Sequence, residues 1–176
     1  MATRTISTKL AVEGEAAYKA SLKNINSELG TLKSELKLVE SEFAGQANSY
    51  EALSAKGEVL SKMYDAQEGK VSKLKEALEN ARKAQQTYTD RVSEAQKNIE
   101  RCEAALAALG EQSGDTSEEQ ARLTAELESY KRELSEAESY QEAATRSVNS
   151  WQSQVNSAQA ELNKLGSDID KNGYPF

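Results

Sequence analysis

The sequence predicts an all-α fold: three long helices joined by two hairpin turns, packed as antiparallel coiled coil, and preceded by one short N-terminal β-strand. Three observations carry this expectation. The 176 residues are rich in Ala, Glu, Lys, Leu, Ser and Gln, with 6% aromatic residues and one Pro, a balance that favours long helices over a compact α/β domain. Apolar residues recur at alternating steps of four and three along almost the whole chain. Two short stretches rich in Gly and capping residues interrupt that pattern.

The elements follow in chain order. In "RTISTKLAVEGE", Ile6, Thr8, Leu10 and Val12 alternate with Thr5, Ser7, Lys9 and Ala11; the period of two reads as a strand within residues 1–14. The seam of helix one, residues 15–43, is Tyr18, Leu22, Ile25, Leu29, Leu32, Leu36, Val39 and Phe43. At "FAGQANSYEAL", Gly45 is expected to end helix one, and Asn48 to cap the next with Glu51 completing a capping box. Helix two, residues 49–109, carries Tyr50, Leu53, Gly57, Leu60, Tyr64, Gln67, Val71, Leu74, Leu78, Ala81, Gln85, Tyr88, Val92, Ala95, Ile99, Cys102, Leu106 and Leu109. At "LGEQSGDTSEEQ", Gly110 and Gly114 stop it, and Thr116 or Ser117 starts helix three with Glu119 or Gln120 behind it. Helix three, residues 117–165, continues as Leu123, Leu127, Tyr130, Leu134, Ala137, Gln141, Ala144, Val148, Trp151, Val155, Ala158, Leu162 and Leu165, the frame running on to Ile169. Residues 166–176 read as a flexible tail or the start of a further region. None of the seam positions is charged, although 29% of the chain is.

Short connections make consecutive helices antiparallel neighbours. Folding helix three onto helix two pairs Tyr88 with Ala137, Ala95 with Tyr130, Leu74 with Trp151 and Gln85 with Gln141. Folding helix one onto helix two pairs Leu36 with Gly57 and Leu32 with Leu60. Residues 57–74 then touch both neighbours, so one end is expected to be three-stranded and the other a two-stranded hairpin.

Composition also excludes function classes. A net charge of −7 argues against partners recognised through phosphate, so neither nucleic acid nor an anionic membrane is expected. No apolar run approaches the length of a membrane span, and no signal-peptide core opens the chain, so a cytosolic location is expected. One Cys and no His leave no internal disulfide and no ordinary zinc site.

No catalytic, cofactor-binding or metal-ligating residue is expected, and no cofactor. There is no Gly-rich phosphate loop. The many Glu residues read as a solvated helix face rather than acid/base pairs. Cys102 lies on the seam and reads as a small core residue rather than a reactive thiol. Trp151 reads as core rather than as an anchor for a partner. Gln67, Gln85 and Gln141 read as register-setting polar layers rather than ligand contacts. Gly30, Gly57 and Gly69 each weaken a helix and make the strand-proximal end the more deformable one.

The stretch from Thr5 to Leu78 adds more than heptads. The short strand, the helix "EGEAAYKASLKNINSELGTLKSELK" and the turn "FAGQANSYEALSAKGEVL" resemble the N-terminal region of tail tape-measure proteins from phages and prophages of Gram-positive bacteria. The resemblance implies a structural, non-enzymatic virion-assembly protein that occupies the tail tube lumen and sets tail length. It implies tail tube, tail-assembly chaperone and baseplate proteins as partners. Its locations would be the host bacterial cytoplasm during assembly and then the virion tail. One helix through residues 15–166 would reach only about 230 Å, so the chain is expected to be the N-terminal part of a longer protein. The strand would then pair with another copy or a later segment.

Readings from other classes compete. A coiled-coil arm or scaffold of the chromosome-segregation ATPase type would share the hairpin form, but phosphate-binding motifs at its ends are missing. A holdase chaperone would need apolar helix tips, whereas the tips here are "GQAN" and "GEQSGDTS". An enzyme accessory arm is a further alternative.

The four-three steps also continue through both breaks, from Phe43 by Gln46 to Tyr50, and from Leu109 by Ser113, Thr116 and Gln120 to Leu123. Hairpin loops do not require that continuity; an extended bundle of parallel, self-associating copies does. Two states are therefore expected: a hairpin when free and a straightened parallel coil in an assembly.

Overall fold

The structure is a computed structural model that describes residues 15–111 and 116–172. Three helices account for nearly all of them: α1 Glu15–Glu42, α2 Tyr50–Gly110 and α3 Ser117–Asn172. No strand occurs among the described residues. The strand expected within residues 1–14, Gly114 at the second turn and the last residues of the expected tail lie outside them.

Helix three is longer than its sequence signals suggest. It was expected to end at Leu165 ahead of Gly166, with a tail from 166 onward; α3 instead runs through Gly166 to Asn172. The reason is packing. Leu165 and Ile169 rest on a cluster formed by Leu32, Val59, Leu60 and Met63. A Cβ on Gly166 would lie 3.4 Å from the ring of Tyr64. Tertiary burial thus outweighs the roughly 1 kcal/mol helix penalty of one glycine.

The caps differ in detail from expectation. The first turn of α2 is capped by Ser49, not Asn48. The Ala52 amide donates to Ser49 Oγ at 3.2 Å and the Leu53 amide to the Ser49 carbonyl at 3.0 Å. With Ser49 as cap, the third helical position is Ala52, so the expected capping box with Glu51 does not form. Gly45 does not take a left-handed conformation. The end of α1 is instead tightened by bonds from the Ala44 amide to the Ser41 carbonyl (3.3 Å) and from the Gln46 amide to the Phe43 carbonyl (2.9 Å). At α3, Thr116 is the cap: its carbonyl accepts the Gln120 amide at 2.9 Å, and its hydroxyl accepts Gln120 Nε2 at 3.1 Å.

The seam is the buried face. Its residues are buried or half-buried on all three helices; Tyr50, 71% exposed, is the exception. The chain divides into two units. In the unit of residues 80–148, α2 and α3 meet as a helical hairpin: Cys102, Leu123 and Leu127 form a buried cluster flanked by Ile99, Leu106, Leu109 and Tyr130. In the other unit, residues 15–79 and 149–172, three helices share one core. Leu32, Leu36 and Val39 of α1 meet Val59, Leu60, Met63 and Ala66 of α2 and Leu165 and Ile169 of α3. Leu32 and Leu60 thus share a cluster, as the folded-back seam requires.

Two helices contact α2 in that unit because it carries a second apolar stripe beside the seam. Ala52, Val59, Met63 and Ala77 are buried and Ala66 half-buried, again at heptad-compatible spacing. Together the stripes widen the apolar face enough to serve two neighbours. Lys56 and Lys70 lie on the second stripe with side chains only 18% and 20% exposed; their ammonium groups reach Glu40 of α1 (3.5 Å) and Glu161 of α3 (3.8 Å). Their aliphatic stems cover the core edge while the charges stay at its rim.

Candidate functional site

The seam is interrupted by polar layers, and these concentrate the specific chemistry of the chain. In the 80–148 unit, Gln85 and Gln141, which the folded-back register sets opposite each other, are not bonded to one another. Each reaches a threonine on the other helix. Gln85 Nε2 donates to Thr145 Oγ1 at 2.8 Å, and Gln141 Nε2 donates to Thr89 Oγ1 at 2.9 Å. Each threonine hydroxyl in turn donates to the carbonyl four residues back on its own helix. Thr89 bonds the Gln85 carbonyl at 3.0 Å and Thr145 the Gln141 carbonyl at 2.8 Å.

Both helices therefore carry the same Gln-x-x-x-Thr spacing, and the two copies clasp each other with local two-fold symmetry. Because each hydroxyl proton is committed to a backbone carbonyl, the threonine oxygen can only accept, which fixes the orientation of both glutamine amides. A slip of one residue breaks both cross-helix bonds, so the clasp sets register.

The second layer is Gln67, 1% exposed in the three-helix unit. Its Nε2 donates to the Ala158 carbonyl at 2.8 Å and to Glu161 Oε2 at 3.1 Å. Both amide protons are used, as burial demands. Among the described residues no buried side-chain nitrogen or oxygen lacks a partner.

Beside the clasp, the ring of Tyr88 lies against Tyr140, with centroids 5.3 Å apart, and Arg91 sits 5.6 Å from the Tyr88 ring centre. Tyr88 was expected to fill the space over Ala137. Ala95 and Ala137 are both buried, and they border a groove of about 460 Å³ together with Tyr130 and Tyr140. Tyr140, adjacent to Gln141, was missed because it stands off the seam. The groove is rimmed by Arg91, Glu94, Glu133 and Glu136, with no nucleophile set beside a base.

Among the remaining candidates, Cys102 and Trp151 occupy buried positions. Cys102 is a buried free thiol against Leu123 and Leu127. Trp151 is 5% exposed. Gly57 is buried and Gly30 exposed. Lys73 and Arg122 are held above their ordinary pKa values. Each donates to a carboxylate one turn away, Glu76 and Glu119 respectively. Both are exposed pairs on a helix surface, the kind that adds only tenths of a kcal/mol to a helix. Among the described residues, no cluster of three or more Cys, Asp or Glu side chains is placed to hold a metal ion. No described helix is long and apolar enough to cross a membrane. Comparison with known protein families, with curated proteins and with solved structures finds no match to this chain.

Proposed function

We propose that this chain is a structural coiled-coil protein of a phage or prophage tail, corresponding to the N-terminal part of a tape measure. Its helices lie antiparallel, and it carries out no catalysis. The observation that carries the reading is the motif pair in the first 78 residues. A "YKASLKNINSELGTLKSELK" helix is followed by the "FAGQANSYEALSAKGEVL" turn, the arrangement that resembles tape-measure proteins. The turn of that motif coincides with the α1–α2 joint, between Glu42 and Tyr50.

The chemistry suits a spacer. The seam is uncharged, and the glutamines on it bond across to the neighbouring helix through their amide nitrogens, which ties helix register. A net charge of −7 keeps such a chain from binding nucleic acid indiscriminately. In this role the partners are further copies of the chain and the tail tube, chaperone and baseplate proteins.

The test is made on particles. Induction of the element that encodes the chain, followed by mass spectrometry of purified virions, is expected to find its peptides in the tails. In-frame removal of two heptads from the α2–α3 hairpin, a matched seven residues from each helix, is expected to shorten or abort tails in electron micrographs. Normal particles that lack the chain would overturn the reading.

A further inference from the structure

The α1–α2 joint leaves one seam residue unused. Tyr50 opens α2 in frame with the seam, yet it is 71% exposed. From Leu32 the frame steps through Leu36, Val39, Phe43, Gln46, Tyr50, Leu53 and Gly57 to Leu60 without losing a residue. A closed hairpin has no use for this continuity, because its turn lies outside the seam.

The turn itself is lightly held. Its backbone bonds are Ala44 to Ser41, Gln46 to Phe43 and Ser49 to Gln46, with the Ser49 cap on Ala52. It contains no Pro, and Gly45 has no left-handed φ to undo. Conversion of residues 43–49 to helix exchanges these bonds for helical ones.

We propose that two copies of this chain exchange α1, forming a dimer in which each joint straightens and α1 runs into α2 as one helix. Each α1 then occupies, on the α2 and α3 of its partner, the place that α1 occupies in the closed chain. Every closed contact is remade between copies: the cluster of Leu32, Leu60 and Met63 and the Glu40–Lys56 ion pair.

The exchanged form also gains contacts that the closed chain lacks. Leu32 shares a cluster with Leu60, and stepping both helices toward the joint pairs Leu36 with Gly57 and Val39 with Leu53. The next pair is Phe43 with Tyr50 of the second copy, and Gln46 meets its own copy on the two-fold axis. The exposed Tyr50 is thereby buried twice per dimer. Because the old contacts are common to both forms, the joint and the protein concentration decide between them. The inference stands apart from the tail reading and needs no other partner.

Cross-linking separates exchange from other association. In a Cys102→Ser background, Glu40→Cys and Lys56→Cys are made in separate chains, mixed at high concentration and treated with a short bifunctional maleimide. The double variant, carrying both in one chain, calibrates the reach. Exchange predicts a 40–56 link between the two single variants, identified by mass spectrometry. Absence of that link, with the double variant linking within one chain, overturns the proposal.

Sedimentation gives an independent reading. Tyr50→Ala is expected to weaken the dimer about tenfold while leaving the monomer melt unchanged, since Tyr50 is exposed there. Gly45→Ala with Asn48→Ala and Ser49→Ala favours helix at the joint in both chains and is expected to strengthen the dimer at least about tenfold. Ala47→Pro bars helix there and is expected to leave only monomer. A dimer indifferent to Tyr50→Ala and Ala47→Pro, or a triple variant that remains monomeric at high concentration, overturns it.

Discussion

Gln85, Thr89, Gln141 and Thr145 show how four ordinary side chains specify register. Each cross-helix bond is worth about 0.5–1.5 kcal/mol net, yet each depends on a hydroxyl already committed to its own backbone. Gln85→Ala and Thr145→Ala are therefore expected to be non-additive, with a coupling of about 0.5–1.5 kcal/mol in a double-mutant cycle read by denaturant melts. Gln85→Ala with Thr89→Ala, which share no cross-helix bond with each other, should couple less. Ala137 gives a second test at this scale. The seam pattern alone makes it a small residue covered by Tyr88, so that Ala137→Leu would overpack and cost about 1–3 kcal/mol. Ala137 is 6% exposed, so its own position is already enclosed, although a groove runs beside it. Ala137→Leu is therefore expected to cost about 1–3 kcal/mol in a denaturant melt; a variant within about 0.5 kcal/mol of the parent would mean that the groove takes up the larger side chain.

At the scale of the elements, the ends of the helices carry the testable content. Ser49 caps α2 through its hydroxyl, so Ser49→Ala is expected to cost about 1 kcal/mol in a melt of the closed chain, and Asn48→Ala close to nothing. The reverse order would restore Asn48 as the cap. Gly166 sits inside α3, and a Cβ there would touch the ring of Tyr64 at ordinary contact distance. Gly166→Ala is expected to stabilise by about 0.5–1 kcal/mol, since it lowers the entropy lost on forming the helix without a clash. A destabilised variant would indicate that the added methyl group crowds Tyr64 more tightly than the 3.4 Å contact implies.

At the scale of the whole molecule, heptad positions that look alike have unequal neighbours. Leu32 lies in a core shared by three helices, whereas Leu127 lies in a cluster formed by two. Truncation in the three-helix core leaves a cavity with walls on every side; in the two-helix hairpin, water can reach the space from the flank. Leu32→Ala is expected to cost about 2–5 kcal/mol. Leu127→Ala should fall at or below the lower end of that range. Native-state hydrogen exchange checks both, and equal losses would remove the distinction between two-helix and three-helix layers.

What the amino-acid order determined by itself was periodic and local. The uncharged seam from Tyr18 to Ile169, the three helices, and the breaks near Gly45 and Gly110 are all legible, because helical period and breaker residues act over a few neighbouring positions. The core roles of Cys102 and Trp151 follow from the same period, since a seam position is a buried position. The second stripe of Ala52, Val59, Met63 and Ala77 was also present in the pattern, but Lys56 and Lys70 interrupt it, and lysine reads as surface until its stem is seen lying along a core. Only the tertiary structure decided the rest. Gln67 finds its acceptors about ninety residues away in Ala158 and Glu161. Gln85 finds its acceptor in Thr145, and α3 continues past Gly166. Each of these depends on which distant surface arrives opposite, and at what height along the helix. A repeat of seven residues offers many such heights with nearly the same apolar burial. The choice among them rests on a few hydrogen bonds and ring contacts that no local period encodes.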